Sequence, residues 1–182
     1  MFVFALILIV LLAASAWIYN RLVRDRNRVL AAWSDIDVQL KRRYDLVPKL
    51  VDAVKAYAAY EKATLEAVTQ MRAKSEGASH LPDKAVIEKA MERTVERLLL
   101  VAEAYPELKA DQNFQQLQEQ LTEVEDHIQY ARRYYNGAVR LLNTRIQSVP
   151  HLLLARPLGF EPAEYFAIEN SGERQAPRAE LS

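Results

Sequence analysis

The chain contains no cysteine, only four glycines, and no excess of charge of either sign. Without cysteine there is no disulfide framework, no thiolate zinc site, no iron–sulfur cluster and no lipidated N-terminal Cys. So few glycines leave little material for tight turns, and none for a Gly-rich phosphate loop: no G-x-x-x-x-G-K-[ST] occurs. The 24 basic and 24 acidic residues cancel. A chain built to grip nucleic acid carries a basic excess, so nucleic acid is not an expected partner. With 51% hydrophobic residues the chain is too apolar to be disordered. Its 182 residues suit one domain with an appendage.

The appendage is the N-terminus. Phe2 to Ile18 carries no charge, and Ser15 is its sole hydroxyl. Residues 1–19 as a helix measure about 28 Å, close to the hydrocarbon thickness of a bilayer. Trp17 and Tyr19 close the run, where amphipathic rings favour the lipid–water interface. Arg21, Arg24, Arg26 and Arg28 follow, opposed by Asp25. A secretory signal is the competing reading, since Ala14-Ser15-Ala16 has the form of a cleavage site. No Lys or Arg precedes the run, which favours an uncleaved anchor. The basic flank would bind anionic headgroups. By the positive-inside rule it also places the following domain in the cytoplasm and the N-terminus outside. A domain on the outer face is the alternative.

Beyond the anchor, stretches 1–47, 49–76, 83–105 and 107–136 lack both proline and glycine. Strands and hairpins need more punctuation than this. The clearest helical stretch carries Phe114, Leu117, Leu121, Val124, Ile128, Ala131, Tyr135, Ala138, Leu142 and Val149, mostly at alternating steps of three and four. That is a heptad seam. Asp111 is its expected N-cap and Pro150 its stop. Gly137, inside the helix, suggests close approach by a neighbour. Val29, Trp33, Ile36 and Leu40 share another face. So do Leu50, Val54, Tyr57, Leu65 and Val68, and likewise Ile87, Met91, Val95, Leu98 and Ala102. A break near Asp45, with Pro48 in the next first turn, is favoured over one kinked helix. The expected helices are 2–44, 46–76, 83–104 and 112–149, joined by loops at 75–83 and 105–111. Short connections make sequential helices antiparallel neighbours. The fold class is therefore all-α: an antiparallel up-and-down four-helix bundle over 20–149, preceded by one transmembrane helix at 1–19. A strap at 150–168 would cover one bundle end, and 169–182 would be a disordered tail.

The stretch YNRLVRDRNRVLAAWSDIDVQLKRRYDLVPKLVDAVKAYAAYE, from Tyr19 to Glu61, resembles the LemA family of bacterial membrane proteins. So do YPELKADQNFQQLQEQL, YARRYYNGAVRLLNTRIQSVP, Gly159-Phe160 and Tyr165-Phe166. The resemblance covers Tyr19 to Phe166, and its WSDIDVQLKRR core is specific. It implies an N-terminal membrane helix and an antiparallel helical bundle at the bacterial inner membrane. By analogy it also implies a role near membrane proteases or envelope proteins, in envelope or membrane-protein quality control. It implies no defined reaction. Family members often carry a His before the Glu of one element; here that position is Tyr60, so no ligand role is available there.

Candidate chemistry is sparse. His80, His127 and His151 form no HExxH, and none is preceded at three residues by Glu, as carboxylate-bridged metal sites in bundles require. His127 has Glu123 four residues before it, the spacing of a helix-surface ion pair. Glu61, Glu66, Glu88, Glu92 and Glu96 read as solvated faces. No GxSxG is present. No cofactor is expected. The unusual residues are polar groups beside apolar seams: Trp33, Asp37, Arg43, Arg132, Arg133 and Asn136. One reading is an internal network, for instance Asp37 with Arg132 or Arg133, which would fix helix register. The other is a partner surface, where Arg and aromatic residues act as anchors. The leading functional expectation is a non-enzymatic, membrane-anchored scaffold or adaptor. Self-assembly through the last long helix is one version of it. The rival is an enzyme with a polar pocket in the bundle.

Overall fold

A computed structural model describes residues 1–55, 70–75, 77 and 81–166. Among them all regular structure is helical. Helix α1 is Phe2–Lys55, α2 is Leu81–Glu103, α3 is Pro106–Ala110, α4 is Gln112–Gln147 and α5 is His151–Ala155. Residues 70–75 are also helical. Tyr57, Tyr60, Leu65, Val68, Glu61, Glu66 and His80, and the tail from residue 167, lie outside the described residues.

The expected break near Asp45 does not occur. Helix α1 runs unbroken for 54 residues, about 80 Å, with Pro48 inside it. Pro48 cannot donate to the Tyr44 carbonyl, and an interior proline costs a helix about 3 kcal/mol. Leu46, Val47, Leu50, Val51 and Val54 are all buried around it. Burying each such side chain is worth about 1.5–3 kcal/mol, so packing outweighs the lost bond. Asp45 caps nothing and stays exposed, 3.5 Å from Arg72.

The start of α1 is exposed from Phe2 to Leu12, and this is the one described helix long and apolar enough to cross a membrane. Burial begins at Ile18 and Leu22. It then recurs at Asp25, Val29, Ala32, Ile36, Leu40 and Arg43, in steps of three or four. The same helix thus changes from an apolar cylinder into one with a single buried stripe.

Cross-helix pairs give the directions. Asp25 meets Arg145, Trp33 meets Tyr135 and Arg43 meets Glu125, so α4 runs antiparallel to α1. Asp37 meets Lys84 and Tyr44 meets Glu88, so α2 runs in the direction of α1. Between them, Arg72 lies by Asp45 and Ser75 bonds Glu88.

Helix α4 starts as expected: the Asp111 carboxylate accepts from the Phe114 N–H at 2.9 Å. Its buried stripe is Phe114, Leu121, Val124, Ile128, Ala131, Tyr135, Val139, Leu142 and Ile146. Leu117 and Ala138 are partly buried, and Val149 falls off the stripe into solvent. Gly137 is not held by close approach, because a Cβ there would meet nothing within 4 Å. The expected loop at 105–111 contains the short helix α3, which buries Leu108.

After α5 the chain turns at Gly159. Its φ of +71° is a left-handed conformation that favours glycine. The Phe160 N–H reaches back to Ala155 O and the Gly159 N–H to Arg156 O, the paired bonds of a Schellman turn. Residues 160–166 then return in extended form beside α4, burying Phe160 and Phe166.

Candidate functional site

The polar residues form four groups along the α1–α4 pair. The most buried is centred on Glu88 of α2. One carboxylate oxygen accepts from the Arg43 guanidinium. The other accepts from the Tyr44 hydroxyl and, at 2.6 Å, from Ser75 Oγ. Arg43 also donates to Glu125 at 2.9 Å. Glu88 is therefore no solvated face residue; it is completely buried, while Glu96 on the same helix is exposed. Burial alone would lower the Arg43 pKa, but the attraction of Glu88, then Glu125, raises it above its ordinary value. The Tyr44 hydroxyl is pushed well up, first by burial and then by its bond to Glu88. The group joins α1, α2, α4 and residue 75 by charge-assisted bonds, and solvent does not reach its centre.

The second group surrounds Trp33. Its ring packs edge-on to Tyr135 at 5.8 Å and tilted against Phe166 at 6.1 Å. Lys84 Nζ lies 5.0 Å from its centroid. Asp37 is held by Lys41 at 2.8 Å and Lys84 at 3.1 Å, not by Arg132 or Arg133. Those lysines keep its carboxyl below the usual range, the Lys41 bond contributing most and partial burial opposing. Arg132 is buried with its guanidinium 4.9 Å from the Phe166 ring, whereas Arg133, the next residue, is exposed.

The third group ties down the returning extended segment, residues 160–166. Asn136 donates to Phe166 O at 3.1 Å and accepts from Phe166 N at 2.9 Å. Asn143, two turns later on the same face, does the same to Ala163 at 2.9 and 2.8 Å. The Tyr135 hydroxyl donates to Glu164 O at 2.9 Å. The extended segment therefore runs along the C-terminal third of α4, beyond the bundle end where a strap was expected.

The fourth group lies where α1 leaves its apolar segment. Asp25 is buried and paired with Arg145, with Arg28 at 3.6 Å. With Asp25 turned inward, the outward charges at this level come from Arg24, Arg26 and Arg28, with Arg21 part-exposed. The His151 ring lies tilted against Trp17, with centroids 6.0 Å apart. Burial first, then Arg145 and Arg21, keep the His151 pKa below its ordinary value.

An open feature lies between α1 and α4. A groove of about 240 Å³ is lined by Asp35, Val38, Gln39, His127, Tyr130, Ala131 and Tyr134. Tyr130 and Tyr134, one turn apart, are 66% and 53% exposed. Gln39 Oε1 is buried and has no hydrogen-bond partner among the described residues. His127 pairs with Glu123 at 3.6 Å, as its spacing predicts. Among the described residues no cluster of His, Asp and Glu has the makings of a metal site.

A family model described as LemA family matches residues 32–180, which takes in all of these groups except the apolar segment and its basic flank. The chain belongs to the LemA family. Protein LemA of Metamycoplasma hominis is 30% identical over 128 residues, 70% of this chain and 58% of that protein. The chain thus spans little more than half of that relative. Magnetosome protein MamQ 2 of Paramagnetospirillum magneticum is 26% identical over 203 residues, covering 94% of this chain and 75% of the relative. Magnetosome protein MamQ of Magnetospirillum gryphiswaldense is 24% identical over 181 residues, covering 85% and 66%. In this LemA-family chain, the WSDIDVQLKRRY segment that carried the resemblance supplies Trp33, Asp37, Arg43 and Tyr44, the α1 side of the first two groups.

Sequence reasoning missed Glu88, Ser75, Glu125 and Asp25. Glu88 had one available signal: it sits one residue after Ile87 and three before Met91, on the apolar flank of its helix. Asp25 had a signal of the same kind: it falls three residues after Leu22 and four before Val29, on the stripe that the arginines around it miss.

Proposed function

We propose that the chain is a membrane-anchored helical scaffold or adaptor that works through protein–protein contact and not through catalysis. In this reading residues 1–19 form a single span of the bacterial inner membrane. The rest of α1, the helix containing 70–75, α2 and α4 form an up-and-down four-helix bundle whose α1–α4 seam packs like a coiled coil. The basic flank at Arg21, Arg24, Arg26 and Arg28 favours a cytoplasmic bundle with the N-terminus outside. A partner held there would be a membrane protease or envelope protein, in keeping with a role in membrane-protein quality control. A second copy of the chain is the simplest alternative partner.

The observation that carries this reading is the groove beside Tyr130 and Tyr134. Trp33, Arg43, Arg132 and Asn136 are engaged inside the molecule, so the partner surface moves to the face where Arg133 and the two tyrosines are exposed. Exposed tyrosines beside a buried acceptor, Gln39 Oε1, suit an interface anchor that brings its own donor.

The test is photo-crosslinking from position 130 or 134 in native membranes, alongside a Tyr130→Ala/Tyr134→Ala variant. A discrete crosslinked protein that the double variant no longer recovers supports the reading. Unchanged recovery, at unchanged stability, removes this groove as the docking face.

A further inference from the structure

The short helix α5 and its flanks leave apolar side chains outside the protein. Val149 is 74% exposed, Leu153 68% and Leu158 48%. Their neighbours Leu154 and Ala155 pack inward, so the segment has an inner face seated on the core and an outer face that no described residue covers. Two ring contacts fix its level along α1. His151 lies against Trp17, and Phe160 lies 6.0 Å edge-on to Tyr19. Trp17 and Tyr19 are the residues that end the apolar run. The segment therefore sits beside the point where α1 leaves its apolar part.

Its charge fits the same level. From Val149 to Phe160 the sequence VPHLLLARPLGF has no acidic residue, and Arg156 is its one permanent charge. Arg156 is exposed, as are Arg24, Arg26 and Arg28 on α1, while the acid among them, Asp25, is buried against Arg145. The patch is aliphatic with Arg156 as its own charge, the exposed α1 arginines follow the end of the apolar run, and the exposed acid Glu161 comes only after Phe160. An aliphatic face with cationic residues near it is the arrangement of segments that lie in a bilayer interface.

The geometry points to a second membrane contact: residues 149–158 lie in the headgroup region of an anionic bilayer, with Val149, Leu153 and Leu158 inserted among the upper acyl chains. The occupant of the patch is lipid because the patch is continuous with the end of the span, residues 149–160 carry Arg156 and no acid, and the Trp17 and Tyr19 rings mark the interface at its level. This contact rests on the reading of residues 1–19 as a membrane span. It adds to that reading a fixed tilt: α1 is held at the surface on one side by the α5 segment, so the bundle cannot swivel freely about the span.

The absence of native cysteine makes the test direct. Full-length chain carrying Leu153→Cys, and separately Leu158→Cys, is labelled with an environment-sensitive fluorophore. It is reconstituted in vesicles of phosphatidylcholine and phosphatidylglycerol at about three to one. Lipids bearing a nitroxide high on the acyl chain, or near the bilayer centre, serve as quenchers. Leu8→Cys reports the span and Gln118→Cys the distal bundle. The labels at 153 and 158 should lose about half or more of their emission to the shallow nitroxide, less to the deep one, and little to aqueous iodide. The label at 8 should respond chiefly to the deep nitroxide, and that at 118 to iodide. Quenching at 8 with iodide access at 153 and 158 overturns the proposal and leaves the span standing. Labels at 153 and 158 shielded from iodide and from both nitroxides also overturn it, because protein and not lipid then covers the patch. No lipid quenching at 8 overturns the span reading, and the proposal with it.

Discussion

Arg43 of α1 and Glu88 of α2 form an ion pair whose side chains are 2% and 0% exposed. Removing two charges from water costs several kcal/mol each, and their attraction offsets this only when the remaining hydrogen-bonding capacity is also met. Here Tyr44 and Ser75 fill the second Glu88 oxygen and Glu125 takes a second Arg43 nitrogen, while Arg43 Nε is buried without a partner among the described residues. A pair of this kind contributes little net stability over a well-packed apolar pair, but it penalises any helix register that separates its members.

Breaking the pair should therefore cost far more than replacing it. Glu88→Ala should destabilise full-length chain in detergent by about 3–5 kcal/mol, because Arg43 stays buried without its main counter-charge. Arg43→Met combined with Glu88→Leu should cost clearly less than the sum of the two single changes. Urea titrations followed by helical circular dichroism measure both. Additive losses would mean that the two residues act independently.

The same cluster predicts a response to alkali. Tyr44 and Tyr135 both have pKa values raised above their ordinary 10.0, each chiefly by burial, with Glu88 adding to Tyr44 and Glu164 to Tyr135. A group with a raised folded-state pKa gives stability that is fully present below its unfolded value and lost as pH rises through the folded one. Stability should therefore hold up to about pH 10 and fall above it. Tyr44→Phe should be less stable at neutral pH, since Glu88 loses a donor, yet show a shallower fall above pH 10. Parallel stability–pH curves for the two proteins would rule out Tyr44 as a source of the fall.

Gly137 offers a gain in stability. It lies mid-helix in α4, and a Cβ there would meet no atom within 4 Å. Gly137→Ala should stabilise the chain by about 1 kcal/mol through helix propensity alone. That corresponds to a rise of about 2–4 °C in Tm for a chain of this size. An unchanged or lower Tm would mean that flexibility at this point, or a partner pressed against it, matters.

The helices could be read from spacing because burial follows the period of the sequence. The stripe from Phe114 to Leu142 needed only apolar positions every three or four residues, and Asp111 and Pro150 bounded it by local chemistry. Pro48 misled because its penalty is local while the compensating burial of Val47, Leu50, Val51 and Val54 is tertiary. The candidate polar residues were found, but not their partners. Asp37 has two lysines in reach, one on its own helix and one on α2, and no spacing rule ranks them against Arg132. Glu88 was hidden for a related reason: a buried carboxylate resembles a surface one until the residues that solvate it are known to converge. Those are Arg43, Tyr44 and Ser75, and they come from two separate parts of the chain.

Asn136 and Asn143 give the sharpest test of how the returning segment is held. Each amide donates to a backbone carbonyl and accepts from the N–H of the same residue, as a neighbouring β-strand would. Asn136→Ala leaves Phe166 with both backbone groups unmet in a partly buried place, a loss of about 1–3 kcal/mol that falls on the extended segment more than on the helices. Amide exchange at Ala163 and Phe166 should then accelerate by about tenfold to a hundredfold, while the α4 amides near Ile128 keep their protection. Emission from Trp33, which packs on Phe166, should shift to the red. Asn136→Asp should fall between Ala and wild type, because a carboxylate can still accept from Phe166 N but cannot donate to Phe166 O. Equal exchange in the Ala and Asp variants would show that the donated bond holds the segment. Exchange unchanged in both would show that the buried Phe166 ring suffices without the amide.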